Sequence, residues 1–145
     1  MSILAALAML IAGGACAVGA TGGGRASLGE PFELRVGESA RLETEGVGVE
    51  LVAVASDSRC PDGVQCVWEG DAVARVALRI GSEAPETREL HTAAREQGAA
   101  SHRGYTVRLV RLDPPPVAGR ILRQEDYRAC LVITRPDGVP GEWQR

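Results

Sequence analysis

Within fifteen residues this chain collects most of the side chains that could do chemistry. The stretch SDSRCPDGVQCVWEGDA, residues 56–72, holds Asp57, Cys60, Asp62, Cys66, Trp68, Glu69 and Asp71. Four chemistries use such a set: a thiolate metal clip, a calcium loop, carboxylate or histidine acid–base work, and a disulfide-closed turn. Structural zinc sites take cysteines two to four residues apart plus a second pair. Here five residues intervene, and only His91 and His102 could complete the set. Calcium loops alternate oxygen ligands tightly, and DSRCPDG places Cys and Pro where ligands would be needed. A C-x-x-C redox pair and a G-x-S-x-G nucleophile elbow are both missing from the sequence.

The disulfide fits best. Cys60-Pro61-Asp62-Gly63 has the composition of a type I turn, which brings Cys66 back toward Cys60. Closure over so few residues is entropically favoured over pairing with Cys130. Cys130 then reads as a small apolar core residue, with pairing to a loop cysteine as the alternative. Trp68 has two readings in a chain with 3% aromatics. It caps the core beside the disulfide, or it forms a recognition patch with Arg59 and Glu69, since Trp and Arg are enriched where binding energy concentrates.

The elements that must hold this loop show period two. Phe32, Leu34 and Val36 alternate with charges, and Leu42 sits between Arg41 and Glu43. Val47, Val49, Leu51 and Ala53 share a face, with Val52 and Val54 opposite, which reads as a strand covered on both sides in its later half. Residues 71–80 alternate most cleanly, 87–90 are short, and 127–135 alternate again. In 105–112 the parity changes at Val110, the mark of a bulge. Residues 92–104 read as a long loop with a helical turn. The prolines of 113–119 exclude a strand, and 120–126 reads as a short helical turn that tucks Ile121 or Leu122 inward. Seven short strands spaced by turns predict an all-β fold, a single antiparallel β-sandwich or small barrel.

The leading residues are of another kind. ILAALAMLIA, residues 3–12, is too short to span a bilayer and is followed by small residues, as in a secretory signal. Only Met1 and Ser2 precede it. Cys16 in GGAC is either the lipidated first residue of a lipoprotein or part of a leader cut after Ala17 or Ala20. The expected organisation is a signal peptide and lipobox over 1–16, a flexible linker over 17–31, the β-sandwich over 32–136 and a C-terminal tail over 137–145, with Trp143 laid back on the body. The formal net charge of −3 gives no footprint for nucleic acid. All sixteen basic residues are Arg, with no Lys and no Asn in the chain, a composition that points to a GC-rich genome.

Ser58, Arg59, Cys60, Pro61, Cys66, Trp68 and Gly70 also form an S-R-C-P…C-x-W-x-G signature. It resembles that of small bacterial envelope proteins, often described as lipoproteins, to which no activity is assigned. The resemblance runs loosely from Phe32 to about Arg135 and implies the fold, the export and the Cys60–Cys66 bond. The expectation is an exported bacterial envelope protein, lipid-anchored through Cys16 or secreted into an oxidising compartment. It would be a monomeric, non-catalytic binding or structural module that takes an envelope protein or ligand, without cofactor or catalytic residues. The alternative is a hydrolase or metal-dependent enzyme that uses the 57–71 acidic loop with a histidine. That reading requires His91 or His102 within hydrogen-bond reach of the loop, at the rim of a pocket.

Overall fold

The computed structural model describes residue 16 and residues 24–93 and 97–136. The expected signal segment apart from Cys16, most of the expected linker and the expected tail with Trp143 lie outside these residues. Nine strands form in chain order: β1 (Gly24–Arg25), β2 (Pro31–Arg35), β3 (Ser39–Leu42), β4 (Val47–Asp57), β5 (Ala72–Ile80), β6 (Glu86–His91), β7 (Ala99–His102), β8 (Tyr105–Asp113) and β9 (Arg128–Thr134). One sheet has the order β1-β3-β4-β5-β6 and the other β2-β9-β8-β7. Every pairing is antiparallel except the short β1–β3 contact. The fold is the expected all-β sandwich rather than a closed barrel.

The core is the meeting of the two inner faces. Val47, Val49, Leu51, Ala74, Val76, Leu78 and Leu90 come from one sheet, and Leu34, Val107, Leu109, Leu131 and Ile133 from the other. These are aliphatic, as the shortage of aromatics demands, and Tyr105 and Tyr127 add the buried rings among the described residues. Interdigitation of the alternate residues of each strand is what makes period two visible in the sequence.

All seven expected strands are present. β8 has its bulge between Leu109 and Arg111, which turns Val110 out to solvent and Leu112 back into the core. In β4 the expectation needs correction. Register shifts fall between Leu51 and Ala53 and between Val54 and Ser56. Val52 is therefore exposed while Val54 is buried. The strand changes parity by bulging, and is not covered on both sides.

Two strands were not expected. β7 occupies part of the presumed loop 92–104 and forms a hairpin with β8 through Arg103 and Gly104, both at positive φ. β1 lies within the presumed linker, pairs with β3, and is followed by Ala26 packed on the core, so the folded domain begins before residue 32. The segment after β8 contains no strand, and a single 3-10 turn follows at Gln124–Asp126. Leu122 tucks against the core, whereas Ile121 points out.

Two disulfides bind the four cysteines: Cys60–Cys66, as expected, and Cys16–Cys130. The second corrects the reading of Cys130 as an unpaired core residue. Cys130 is indeed buried on β9, but it is bonded to Cys16, at the end of the expected leader. Cys16, which the sequence reads as a lipidation site or as part of a cleaved leader, is the partner in this bridge.

Candidate functional site

The loop between β4 and β5 leaves and re-enters one sheet, so its two ends lie side by side. Ser58 N–H donates to the Asp71 carbonyl (2.7 Å), and the Ser58 hydroxyl both donates to that carbonyl (2.9 Å) and accepts from Asp71 N–H (3.1 Å). One step further out, Cys60 N–H donates to the Glu69 carbonyl (2.9 Å). Between these rungs sits Gly70 at φ +73°, where a Cβ would lie 1.9 Å from the Ser58 carbonyl oxygen. Only glycine fits so close an approach at that backbone angle.

Beyond the neck the chain turns at Pro61–Val64. Val64 N–H donates to the Pro61 carbonyl (3.2 Å) and Gly63 has φ +80°. The turn is one residue later than the composition predicted, because Gly63 supplies a positive φ that a type I turn at Cys60 would not use. Cys60 and Cys66 then stand 5.9 Å apart at Cα and are joined by the disulfide.

Arg59 is the residue whose role the sequence hid. It was expected on the surface beside Trp68, but it points inward. Its Nε donates to Asp57 Oδ1 (2.9 Å) and its Nη2 to Asp57 Oδ2 (2.8 Å), a bidentate pair. Nη1 donates to the Leu112 carbonyl (2.7 Å) and Nη2 also to that of Pro114 (2.9 Å). The Tyr127 hydroxyl donates to Asp57 Oδ2 (3.0 Å). The side chains of Arg59 and Asp57 are only 16% and 9% exposed. One guanidinium thus ties the end of β4 to the end of β8 and, through Asp57, to the start of β9. Burial pushes the Asp57 carboxyl up, but the hydrogen bonds and charge of Arg59 and the Tyr127 hydroxyl outweigh it, and the carboxyl is held below its ordinary value. The same burial and the donation to Asp57 push Tyr127 up to about 12.

The tip is the opposite. Val67 is 90% and Trp68 81% exposed, with Val64, Gln65 and Glu69 also facing solvent. Trp68 does not cap the core, because the neck hydrogen bonds and the disulfide hold the loop away from it. Of the expected patch, Trp68 and Glu69 are on the surface and Arg59 is not.

His91 does reach the loop. Its Nδ1 is 2.5 Å from Asp71 Oδ2, while Asp71 Oδ1 accepts from Thr92 N–H (3.0 Å), the Thr92 hydroxyl (3.2 Å) and Ala93 N–H (3.0 Å). Burial raises the Asp71 carboxyl, and the hydrogen bonds from His91, Ala93 and Thr92 bring it below the ordinary range. This is a clasp that closes the neck against the β6–β7 connection. The nearby hydroxyls of Thr92 and Ser58 bond to Asp71 rather than to the imidazole. His102 sits 2.7 Å from Glu86 at the other end of β6, roughly 17 Å away along the strand. Among the described residues no three His, Cys, Asp or Glu side chains gather as a metal site would require. A concavity of about 460 Å³ is lined by Arg35, Asp113, Pro114, Arg120, Glu125, Asp126 and Arg128, and not by His91.

Chemically, the arrangement presents an apolar tip on a fixed stalk, with Asp57, Arg59 and Asp71 paired at the base and the carboxylates of Asp62 and Glu69 exposed further out. No family model, curated protein or solved structure matches this chain.

Proposed function

We propose that this protein is an exported, non-catalytic binding module of the bacterial envelope, and that the 60–69 loop is its recognition element. The observation that carries the reading is the exposure of Val67 and Trp68 on a loop closed by a disulfide and anchored by Arg59. Exposed large apolar groups have no stabilising role in the monomer, and contiguous ones mark interaction surfaces. A loop already fixed in one conformation loses little entropy on binding. Two disulfides suit an oxidising compartment. The Cys16–Cys130 bridge and a lipid are exclusive uses of one sulfur, and a cut after Ala17 or Ala20 would remove that sulfur with the leader, so the bridge favours neither processed form over the other. The S-R-C-P…C-x-W-x-G likeness to envelope proteins points to the same compartment.

The test is a photo-crosslinking residue placed at Val67 and, as control, at the exposed Val110 of β8, in the exported chain within the cell that makes it. A discrete adduct from position 67 and none from position 110 is expected. No adduct from position 67 overturns the reading. A second reading, a hydrolase built on the acidic loop, retains one observation, the Asp71–His91 contact. It requires a hydrolytic activity in the purified chain that His91→Ala abolishes while adduct formation at position 67 persists.

A further inference from the structure

The stalk that holds the loop holds a second segment as well. Asp62 N–H donates to the Pro116 carbonyl (2.8 Å), and Asp62 and Val117 form a parallel bridge. Arg59 donates to the carbonyls of Leu112 and Pro114 on the chain that leads into this segment. Val117 and Ile121 are exposed on it, the latter 89%, although 120–126 was expected to tuck one of its apolar side chains inward. Leu122 does so and leaves Ile121 outside. Exposed apolar side chains therefore project from two segments, far apart in sequence, that are fixed to one another by the same guanidinium and a backbone bridge.

Resting on the reading of the loop as a recognition element, we infer that the loop tip and residues 117–121 form one composite docking surface, and that its partner is a protein with an apolar pocket and a cationic lip. The pocket is for Val67 and Trp68. Tryptophan is among the residue types enriched at binding hot spots, where it fills a desolvated pocket. The lip follows from charge. Asp62 and Glu69 are exposed and flank Val64–Trp68 in the chain, whereas the single basic residue within 117–121 is Arg120, beside Ile121. Two carboxylates beside the inserting groups suit a partner that offers Arg or Lys there. They disfavour a bilayer, because bacterial lipid surfaces are anionic and segments that lie in them carry basic residues around the apolar face.

The experiment uses the disulfide-intact chain with the crosslinking residue at Val67 or at Ile121, each with and without the paired reversal Asp62→Arg and Glu69→Arg. Sedimentation with vesicles of phosphatidylethanolamine and phosphatidylglycerol is run beside it. The expected result is one and the same adduct from both positions, a linked partner peptide containing Arg or Lys, about a tenfold or greater fall in yield on charge reversal, and no sedimentation with vesicles. An adduct from position 67 alone, insensitive to the reversal, overturns the composite surface and its charged lip while the loop reading stands. No adduct from either position removes both. Vesicle binding that Trp68→Ala abolishes makes the target a membrane surface and overturns the protein partner. All these positions are exposed, so each variant is expected to keep the parent's melting temperature, which is the check that the fold is unchanged.

Discussion

The neck and the tip of one loop follow opposite rules. At the neck, the side chains of Ser58, Arg59 and Asp71 are all directed to hydrogen-bond partners, and the charges of Arg59 and Asp57 are nearly buried. At the tip, Val64, Val67 and Trp68 turn apolar surface to water. The contrast separates two tasks that a short signature mixes: Arg59 and Gly70 keep the loop in place, and Trp68 is what the loop displays. Substitutions at the neck should therefore lower stability, and substitutions at the tip should leave it alone.

Gly70→Ala should have the largest effect. The added Cβ meets backbone and not a movable side chain, so the Ser58–Asp71 rungs must part. Backbone strain and the lost hydrogen bonds together cost about 3–5 kcal/mol, measurable by urea unfolding. Arg59→Met should follow, at about 3 kcal/mol, because it leaves the Asp57 carboxylate buried without its counter-charge. Adding Asp57→Asn to Arg59→Met should recover part of that loss. A loss that the second substitution does not reduce would mean that the guanidinium acts through packing and not through the ion pair.

Much of the fold is readable in the sequence because alternation is a direct record of which side of a strand meets the core. The same record misleads where two causes leave one pattern. A change of parity at Val110 and the doubled valines at Val52 and Val54 are both bulges, but the second is indistinguishable in sequence from a strand buried on both faces. β7 escaped because Ala99, Ala100, Ser101 and His102 carry too little apolar contrast to alternate. The site is less readable. The disulfide and turn follow from residue types, whereas the acceptors of Arg59 are backbone carbonyls 53 and 55 residues away, which no side-chain pattern announces. Gln124 is a parallel case: its amide accepts from Val54 N–H (2.8 Å) and donates to the Val54 carbonyl (2.9 Å), satisfying β4 at its bulge. The partner of Cys130 is hidden for another reason: Cys16 lies in a stretch with the composition of a leader, far in sequence from the strand it bonds to.

The neck also has a signature in pH. Tyr127 has a folded value of about 12 against about 10 in the unfolded chain. The folded state therefore holds that proton more tightly, and the stability it contributes is complete below about pH 10 and lost as pH rises toward about 12. The lowered Asp57 carboxyl acts with the opposite sign: its contribution is present above the unfolded value of about 3.9 and is lost as pH falls through the lower folded value. Unfolding free energies should accordingly drop by on the order of 2 kcal/mol between about pH 9 and pH 12. Tyr127→Phe should flatten most of that alkaline limb, with the remainder due to Tyr105, whose hydroxyl is raised by its hydrogen bond to Glu45 and by burial. An alkaline limb unchanged in Tyr127→Phe would place the coupling elsewhere than the neck.

Trp68→Ala should have the smallest effect on the fold, and that is what makes it informative. A buried tryptophan replaced by alanine costs about 3–5 kcal/mol. Trp68, at 81% exposed and without a hydrogen bond or ring contact among the described residues, should cost within about 0.5 kcal/mol, as ordinary surface positions do. Its indole emission should be that of a solvated ring, and an added quencher should reach it as freely in the native state as in urea. Trp143 contributes to the same emission, so the measurement is made on a Trp143→Phe background. A large loss of stability, or a shielded indole in the isolated chain, would show that Trp68 packs on the protein's own surface. The tip would then obey the rule of the neck, and the division between holding and displaying would fail at its most exposed residue.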